Sequence, residues 1–549
     1  MKTRKQLSSI SLAALIALAG VGFSGTNAHA FCGFYVAGGE SSLFNDATQV
    51  VMMRYGQRTV LSMQNNYQGP PENFAMVIPV PVVLQQDNVN TLSAEIFAKV
   101  DNLSAPRLVE YWEIDPCMVP AYDEEMMDGA VDPATDDASD AGGSGGGVVV
   151  EAEFTVGEYD IVILSTDDAT ALETWLTNNE YTIPEGASTH FDPYVQGGSY
   201  FFVAKVNIEE VTMTESGNVV LSPLRFYYDS ESFNLPIKLG LINSQGSQDL
   251  IVYTLGADTR YELANRPNVT IPTNIEVVNE VRDDFGTFYR ALFAETMEQN
   301  PGAAVTEYSW DASSCDPCPG PTLDQSDFMT FGADVLDSEE AMWMGWTLTR
   351  LHLRYDSTTL GDDLVFQAAE PIMGGREVWN GQALETGAVP GWTNNFQGRY
   401  IIRHRWEGEV ACENPVYGRW GGPNGSEWPG SPQSAPSPNT EGDSAADAGG
   451  DGGGLPSEDL EDLVYDSIPE LGVDPSAERP DSTVGTGSGD TTETGGGETD
   501  TGGDAGTDTK GDESGCTCES TDGTMLGLLL AAWLLVMWRR RRDGLEHSV

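Results

Sequence analysis

The stretch VVMMRYGQRTVLSMQNNY, Val50 to Tyr67, reads as two strands around a tight turn at Gly56-Gln57. Apolar and β-branched residues crowd both arms, and glycine supplies the backbone freedom that a two-residue turn requires. Working outward, further segments have the same character. FAMVIPVPVV, RLVEYWEI, VVVEAEFTV and YDIVILS lie within residues 74–165. SYFFVAKVNI, LRFYYDS, IKLGLI and DLIVYTLG follow, and WTLTRLHLRY and RYIIRHRW come late. Two helices are expected. One covers Asp168 to Asn178, capped by Thr166 or Asp167, with Leu172, Trp175 and Leu176 on its apolar face. The other covers Asp283 to Gln299, where Phe285, Phe288, Tyr289, Leu292 and Phe293 recur at helical spacing. Strands outnumber helices and do not alternate strictly with them. The expected class is α+β, with mostly antiparallel sheet.

The chain has 549 residues and a formal net charge of -58, from 85 Asp+Glu against 27 Lys+Arg. Residues 31–426 hold 59 acids and 18 bases, so the strand-rich body is itself acidic. That balance opposes nucleic-acid binding, which needs clustered Lys and Arg against phosphate. It equally opposes electrostatic attachment to anionic lipid.

Both ends read as addresses. Lys2, Arg4 and Lys5 precede a short apolar run, Ile10 to Gly20, and then Ala28-His29-Ala30. This is the pattern of a secretory signal cleaved by signal peptidase between Ala30 and Phe31. The run is short for a membrane anchor. Phe31 directly before Cys32 opposes lipidation there. At the other end, Gly515-Cys516-Thr517-Cys518 is followed by uninterrupted apolar sequence from Met525 to Trp538, and then by Arg539, Arg540, Arg541 and Arg542. Fourteen helical residues span about 21 Å, enough for a thin membrane crossing once flanking arginines snorkel. The arginines belong in the cytoplasm and the body on the far side.

Between body and tail, residues 421–524 are rich in Gly, Ser, Thr, Pro, Asp and Glu. They read as a disordered acidic stalk, with 539–549 as the cytoplasmic end. Leu455, Leu460, Leu463, Val464, Ile468 and Leu471 interrupt the stalk. They read as a solvated, weakly helical stretch in preference to a docking helix. A second disordered stretch, 123–147, carries eight acids, no bases and the run Gly142 to Gly147 broken only by Ser144.

Two resemblances follow from these residues. The Cys motif, short apolar helix and arginine cluster resemble the MYXO-CTERM sorting tail. That resemblance implies cutting by a sorting protease near Cys516, with lipid attachment there as an option and pairing with Cys518 as another. In the body, Phe31-Cys32-Gly33-Phe34, YDIVILSTDDATALETWL, LSPLRFYYDSESFNLPIKLGLIN and EYSWDASSCDPCPGPTL resemble domain-of-unknown-function family 2330 over roughly residues 31–420. That resemblance implies an exported protein and carries over no catalytic residue.

The chemistry-bearing residues are few. The body has Cys32, Cys117, Cys315, Cys318 and Cys412, an odd number that leaves the connectivity open. Cys315 and Cys318 form the obvious local pair. A redox pair sits at a helix start, whereas Pro319-Gly320-Pro321 follows here. A zinc site would need two more ligands. A structural disulfide is therefore expected. His190, His352 and His404 are the histidines available to the body. On strand alternation His352 faces with Arg350 and Arg354, and His404 with Tyr400, Ile402 and Trp406. Ser144 lies in a glycine tract, with no strand and helix to build a nucleophile elbow. Asp128, Asp132, Asp136 and Asp140 do not follow a calcium-loop pattern. Tyr111, Trp112, Trp343, Trp346, Trp406, Tyr417 and Trp420 suit a strand-rich core better than a stacking platform.

The expected function is a noncatalytic, surface-displayed ectodomain that binds a partner or builds envelope structure. No catalytic, metal or cofactor site is assigned, and the ligand is unspecified. The competing reading is an exported enzyme, thiol-redox or other, with its site near Cys315–Cys318 or at His352 and His404.

Overall fold

The computed structural model describes residues 28–29, 34–36, 44–68, 75–118, 148–179, 186–207, 212–213, 219–243, 246–336, 341, 344–379, 383–421, 433–434 and 459–479. Ala30, Phe31, Cys516, Arg539 to Arg542, the acidic stretch 123–147 and the apolar run 525–538 lie outside the described residues. Among the described residues no helix is long and apolar enough to cross a membrane.

The main elements run in chain order as follows. Strands β1 (Phe44–Tyr55), β2 (Arg58–Gln68) and β3 (Ala75–Val80) precede helix α1 (Glu95–Ser104) and strand β4 (Arg107–Glu113). Strands β5 (Val149–Val156) and β6 (Tyr159–Ser165) lead to helices α2 (Ala169–Asn178) and α3 (Ser188–Gln196). Strands β7 (Tyr200–Val206), β8 (Leu224–Asp229) and β9 (Gln248–Ala257) lead to helix α4 (Phe285–Gln299). Strand β10 (Ala304–Asp311), helix α5 (Gln325–Phe331) and strand β11 (Trp346–Tyr355) follow. Strands β12 (Asn395–Gln397) and β13 (Arg399–His404) complete the set.

The hairpin forms because Gly56 takes φ 55° in the turn between β1 and β2. It sits in a twelve-stranded sheet whose middle runs β12-β10-β11-β9-β1-β2-β8. Within that run the pairs are antiparallel except β9 with β1, which is parallel. An antiparallel sheet, β3-β7-β6-β5, packs on one face. Met52, Leu61, Ile163, Phe202, Val252 and Leu353 lie in the buried layer between them. A third sheet is built on the parallel pair β13 and β4. The fold is thus strand-rich with mixed as well as antiparallel sheets.

The two expected helices are present, with adjusted caps. Asp168 caps α2, its side chain accepting from Thr170 N, and Asp284 caps α4 through Thr287 N. IKLGLI does not form a strand. Lys238–Asn243 is a 3-10 helix, and Ile237 N and Lys238 N both donate to the Asp363 carboxylate.

Residues 459–479 fall inside the stretch whose composition reads as stalk, yet they are folded. A short helix, Leu460–Leu463, is followed by an antiparallel bridge from Val464 to Val277. Leu460, Leu463, Val464, Ile468, Leu471 and Val473 are buried in the core that holds Phe288 and Leu292 of α4. Val278 N donates to Leu463 O at 3.1 Å, and Tyr465 N to Glu276 O at 2.8 Å. The solvated reading therefore fails for this segment. Its six apolar side chains bury surface that an average over a hundred polar residues conceals.

Two disulfides are formed. Cys117 bonds Cys412 across a sequence separation of 295, and Cys315 bonds Cys318.

Candidate functional site

The face of β9, β10 and β11 turned away from the second sheet carries a buried ion network. Alternation along β11 puts Arg350, His352 and Arg354 on that face. Asp101 reaches it from α1 and Tyr289 from α4. Glu307 reaches it from β10, on the face of Val305, which is the register partner of His352, and the register to β11 shifts between Thr306 and Tyr308. The shift brings Tyr308 opposite Arg350, directly after Glu307.

Arg350 Nε donates to Glu307 Oε2 at 2.5 Å, and its Nη1 donates to Asp101 and, at 2.9 Å, to Tyr253 Oη. His352 Nδ1 lies 2.7 Å from Glu307 Oε1, which also accepts from Tyr289 Oη. His352 Nε2 lies 3.6 Å from Asp249 Oδ1, and Arg354 holds both Asp249 oxygens at 2.8 and 2.9 Å. The Phe293 ring stacks on the imidazole with centroids 3.7 Å apart, and Arg354 lies over the same ring. Three acids meet three bases, so the network is formally neutral once His352 is protonated.

Burial alone would raise the Glu307 carboxyl. The charges of His352 and Arg350, with hydrogen bonds from His352 and Tyr289, outweigh burial and hold it at about 2. Burial would likewise lower His352, but the Glu307 charge and the two carboxylate contacts raise it above its ordinary value. Both imidazole nitrogens therefore face acceptors. While protonated, such a ring has no free nitrogen lone pair to offer a metal or a substrate proton.

His404 lies elsewhere, on the third sheet. Its Nε2 is 2.6 Å from Glu110 Oε2 and 2.8 Å from Arg282 Nη2, and Trp112 stacks on it at 4.8 Å. The expected facing of His404 with Tyr400 and Ile402 is seen only in part: those two are in the core, while His404 is at its half-exposed rim. His190 is exposed on α3, apart from both. The Cys315–Cys318 loop is anchored from below, since Arg107 Nη1 donates to Pro317 O at 2.8 Å and Gln397 Nε2 donates to Asp316 O. The structure thus separates Cys315, His352 and His404. Among the described residues no group of three His, Cys, Asp or Glu side chains is placed to hold a metal ion.

Tyr111, Trp346 and Trp420 are buried. Trp392, which the sequence reading passed over, is 96% exposed, with half-exposed Val389 nearby. A cavity of about 490 Å³ lies where α4 ends and the folded segment 459–479 crosses it. Arg260, Glu262, Asn268, Asn300, Glu470 and Leu471 are among its lining residues. Arg260 donates from Nη2 to Glu262 at 3.1 Å and from Nε to Glu370 O at 3.0 Å. Apolar Ile271, Ile372 and Ala388 complete the wall. Neither the cavity nor Glu307 carried a sequence signal, because both depend on contacts between distant segments.

A family model described as an uncharacterized protein conserved in bacteria, DUF2330, matches residues 26–367, more than half of the chain. No curated protein and no solved structure matches.

Proposed function

We propose that this chain, which belongs to the bacterial family DUF2330, is an exported noncatalytic module that binds a small polar ligand at the cell envelope. In this reading signal peptidase removes residues 1–30, and the Cys516 tail and the apolar run 525–538 anchor or sort the protein. The body stands on the non-cytoplasmic side. The observation that carries the noncatalytic half is the engagement of the candidate reactive groups. His352 faces carboxylates through both nitrogens, and Cys315 and Cys318 are bonded to each other. The cavity beside α4 supports the binding half, since its volume falls in the range of ligand pockets, about 300–1,000 Å³. Its mixed lining of Arg260, Glu262 and Asn300 with Ile372 and Leu471 suits a small ligand bearing both polar and apolar groups.

Mass mapping of the native protein after trapping free thiols tests the display. The expected chain starts at Phe31 and ends at or near Cys516, with Cys315 bonded to Cys318. A retained N-terminal signal, or a trapped thiol at Cys315, overturns that half. The binding half is tested by comparing small molecules released on denaturation from the native protein and from an Ala388→Trp variant. A species enriched in the native protein and depleted in the variant supports it; equal extracts refute it.

A further inference from the structure

Beside the neutral ion network, the same interior holds two guanidinium groups that no carboxylate balances among the described residues. Arg107 of β4 and Arg399 of β13 are register partners in the parallel pair, 6% and 1% exposed. Arg107 donates only to main-chain oxygens, Pro317 O and Leu103 O, and its Nε is buried without a partner. Arg399 Nε donates to Asn274 Oδ1 at 2.8 Å, and its Nη2 is likewise buried without a partner. Asn274 sits at φ 57°, and its amide is tied to Arg376 O and Glu385 O, which fixes the acceptor end toward Arg399.

Two more orphaned atoms belong to the neighbouring register pair, Tyr308 with Gln397. Tyr308 Oη and Gln397 Oε1 are both buried and unpartnered, and the Arg107 guanidinium lies 5.8 Å over the Tyr308 ring. The Gln397 amide orientation is set, because Nε2 donates to Asp316 O and Gly375 O. The unmet set is thus three donor groups, Arg107 Nε, Arg399 Nη2 and Tyr308 Oη, with one acceptor, Gln397 Oε1.

We infer that Arg107, Arg399, Tyr308 and Gln397 form a buried site for one small monoprotonated oxyanion, of the bicarbonate or hydrogen phosphate type, beneath the Cys315–Cys318 loop. Its negative charge offsets guanidinium charge that is otherwise costly in a dry interior. Its oxygens accept from the two arginines and the tyrosine, the charge-assisted geometry that arginine favours. Its own O–H donates to Gln397 Oε1, which a fully deprotonated or halide ion cannot do. Burial pulls Arg107 down to about 10, with the nearby Arg399 and Arg350 charges acting the same way against Tyr308, so it remains cationic at neutral pH. The disulfide loop, held by Arg107 and Gln397, roofs the site.

The test uses the full chain, exchanged into chloride buffer and examined by native mass spectrometry and thermal melting. Bicarbonate and inorganic phosphate are the two probes. The expected native mass exceeds the polypeptide by one oxyanion, and the excess vanishes on denaturation. The melting temperature rises by about 2 °C for each tenfold increase of the anion that binds. Tyr308→Phe, which keeps the ring, weakens that anion's apparent affinity about tenfold. Arg399→Gln abolishes the mass excess; if that variant does not fold, the wild-type titration and Tyr308→Phe decide. A native mass equal to the polypeptide, with melting indifferent to both anions, overturns the site and assigns the orphaned atoms to hydration. The mass excess identifies which of the two anions is held.

Discussion

Arg350 and Glu307 meet Nε to Oε2 at 2.5 Å across β10 and β11, beside a bulge that shifts the register between Thr306 and Tyr308. Both side chains are essentially shut off from solvent. Two such ions cost several kcal/mol to desolvate, and that cost is met only while both are present with their remaining hydrogen bonds. Arg350→Met leaves Glu307 and Asp101 without their shared cation. It is expected to lower the unfolding free energy by about 3–5 kcal/mol, read from urea denaturation at pH 6. A loss under about 1 kcal/mol would mean that the network relaxes or admits water.

The same network sets a pH profile. Glu307 is held at about 2, below its ordinary 4.5, so its contribution is complete above about pH 4.5 and disappears as pH falls toward 2. Asp249 is depressed by His352 and Arg354 against the opposing effect of burial, and adds to the same acid limb. His352 moves the other way. Raised above 6.5 in the folded state, it contributes fully below about pH 6.5 and its contribution is lost as pH rises through the folded value. Maximal stability is therefore expected between about pH 4.5 and 6.5. Melting temperatures across pH 2–9 check this, and His352→Gln should flatten the alkaline limb and also shrink the acid limb, because His352 helps to hold Glu307 and Asp249 low. An alkaline limb that survives the substitution would assign it to other groups.

Particular residues show what the sequence made legible. The hairpin at Gly56 could be read because a local rule, φ above zero at a turn, acts on one residue. Phe285, Phe288, Tyr289, Leu292 and Phe293 revealed α4 because a 3.6-residue period needs no distant partner. Alternation correctly grouped His352 with Arg350 and Arg354. It could not supply Glu307, because alternation within β11 does not say which strand pairs with it, or Asp101, because that residue arrives from a separate helix. Helix α3 escaped notice because Pro193 lies within it. The pairing of Cys117 with Cys412 is invisible to spacing at a separation of 295. The segment 459–479 was hidden by its surroundings, since its apolar residues bury against a core drawn from distant segments, including α4 and β13.

The two disulfides should differ sharply in their contribution. In the chain-entropy account the effect grows with the logarithm of the closed loop, so Cys117–Cys412, which spans 295 residues, is expected to contribute about 5–6 kcal/mol. Cys315–Cys318, separated by only three, is expected to contribute about 2 kcal/mol. Paired serine substitutions, Cys117→Ser with Cys412→Ser and Cys315→Ser with Cys318→Ser, are compared by denaturant melts under oxidising conditions. The first pair should lower the melting midpoint far more. Equal effects would show that residual structure in the unfolded chain, or local packing at the short loop, dominates over loop entropy.

Leu463 gives the most direct handle on the folded segment. It is fully buried against the α4 core, and its carbonyl accepts from Val278 N, so side chain and backbone hold the same junction. Truncating a buried leucine costs about 2–5 kcal/mol when the surroundings cannot collapse. Here the cost is capped by detachment: once the lost packing exceeds the docking free energy, the segment leaves and the rest of the body remains folded. Leu463→Ala is therefore expected to expose residues 459–479 to limited proteolysis and hydrogen exchange before the strands β9 and β11 lose protection. It should also open the cavity that Glu470 and Leu471 help to line. Simultaneous loss of protection in the segment and in β9 and β11 would show instead that residues 459–479 belong to the cooperative core.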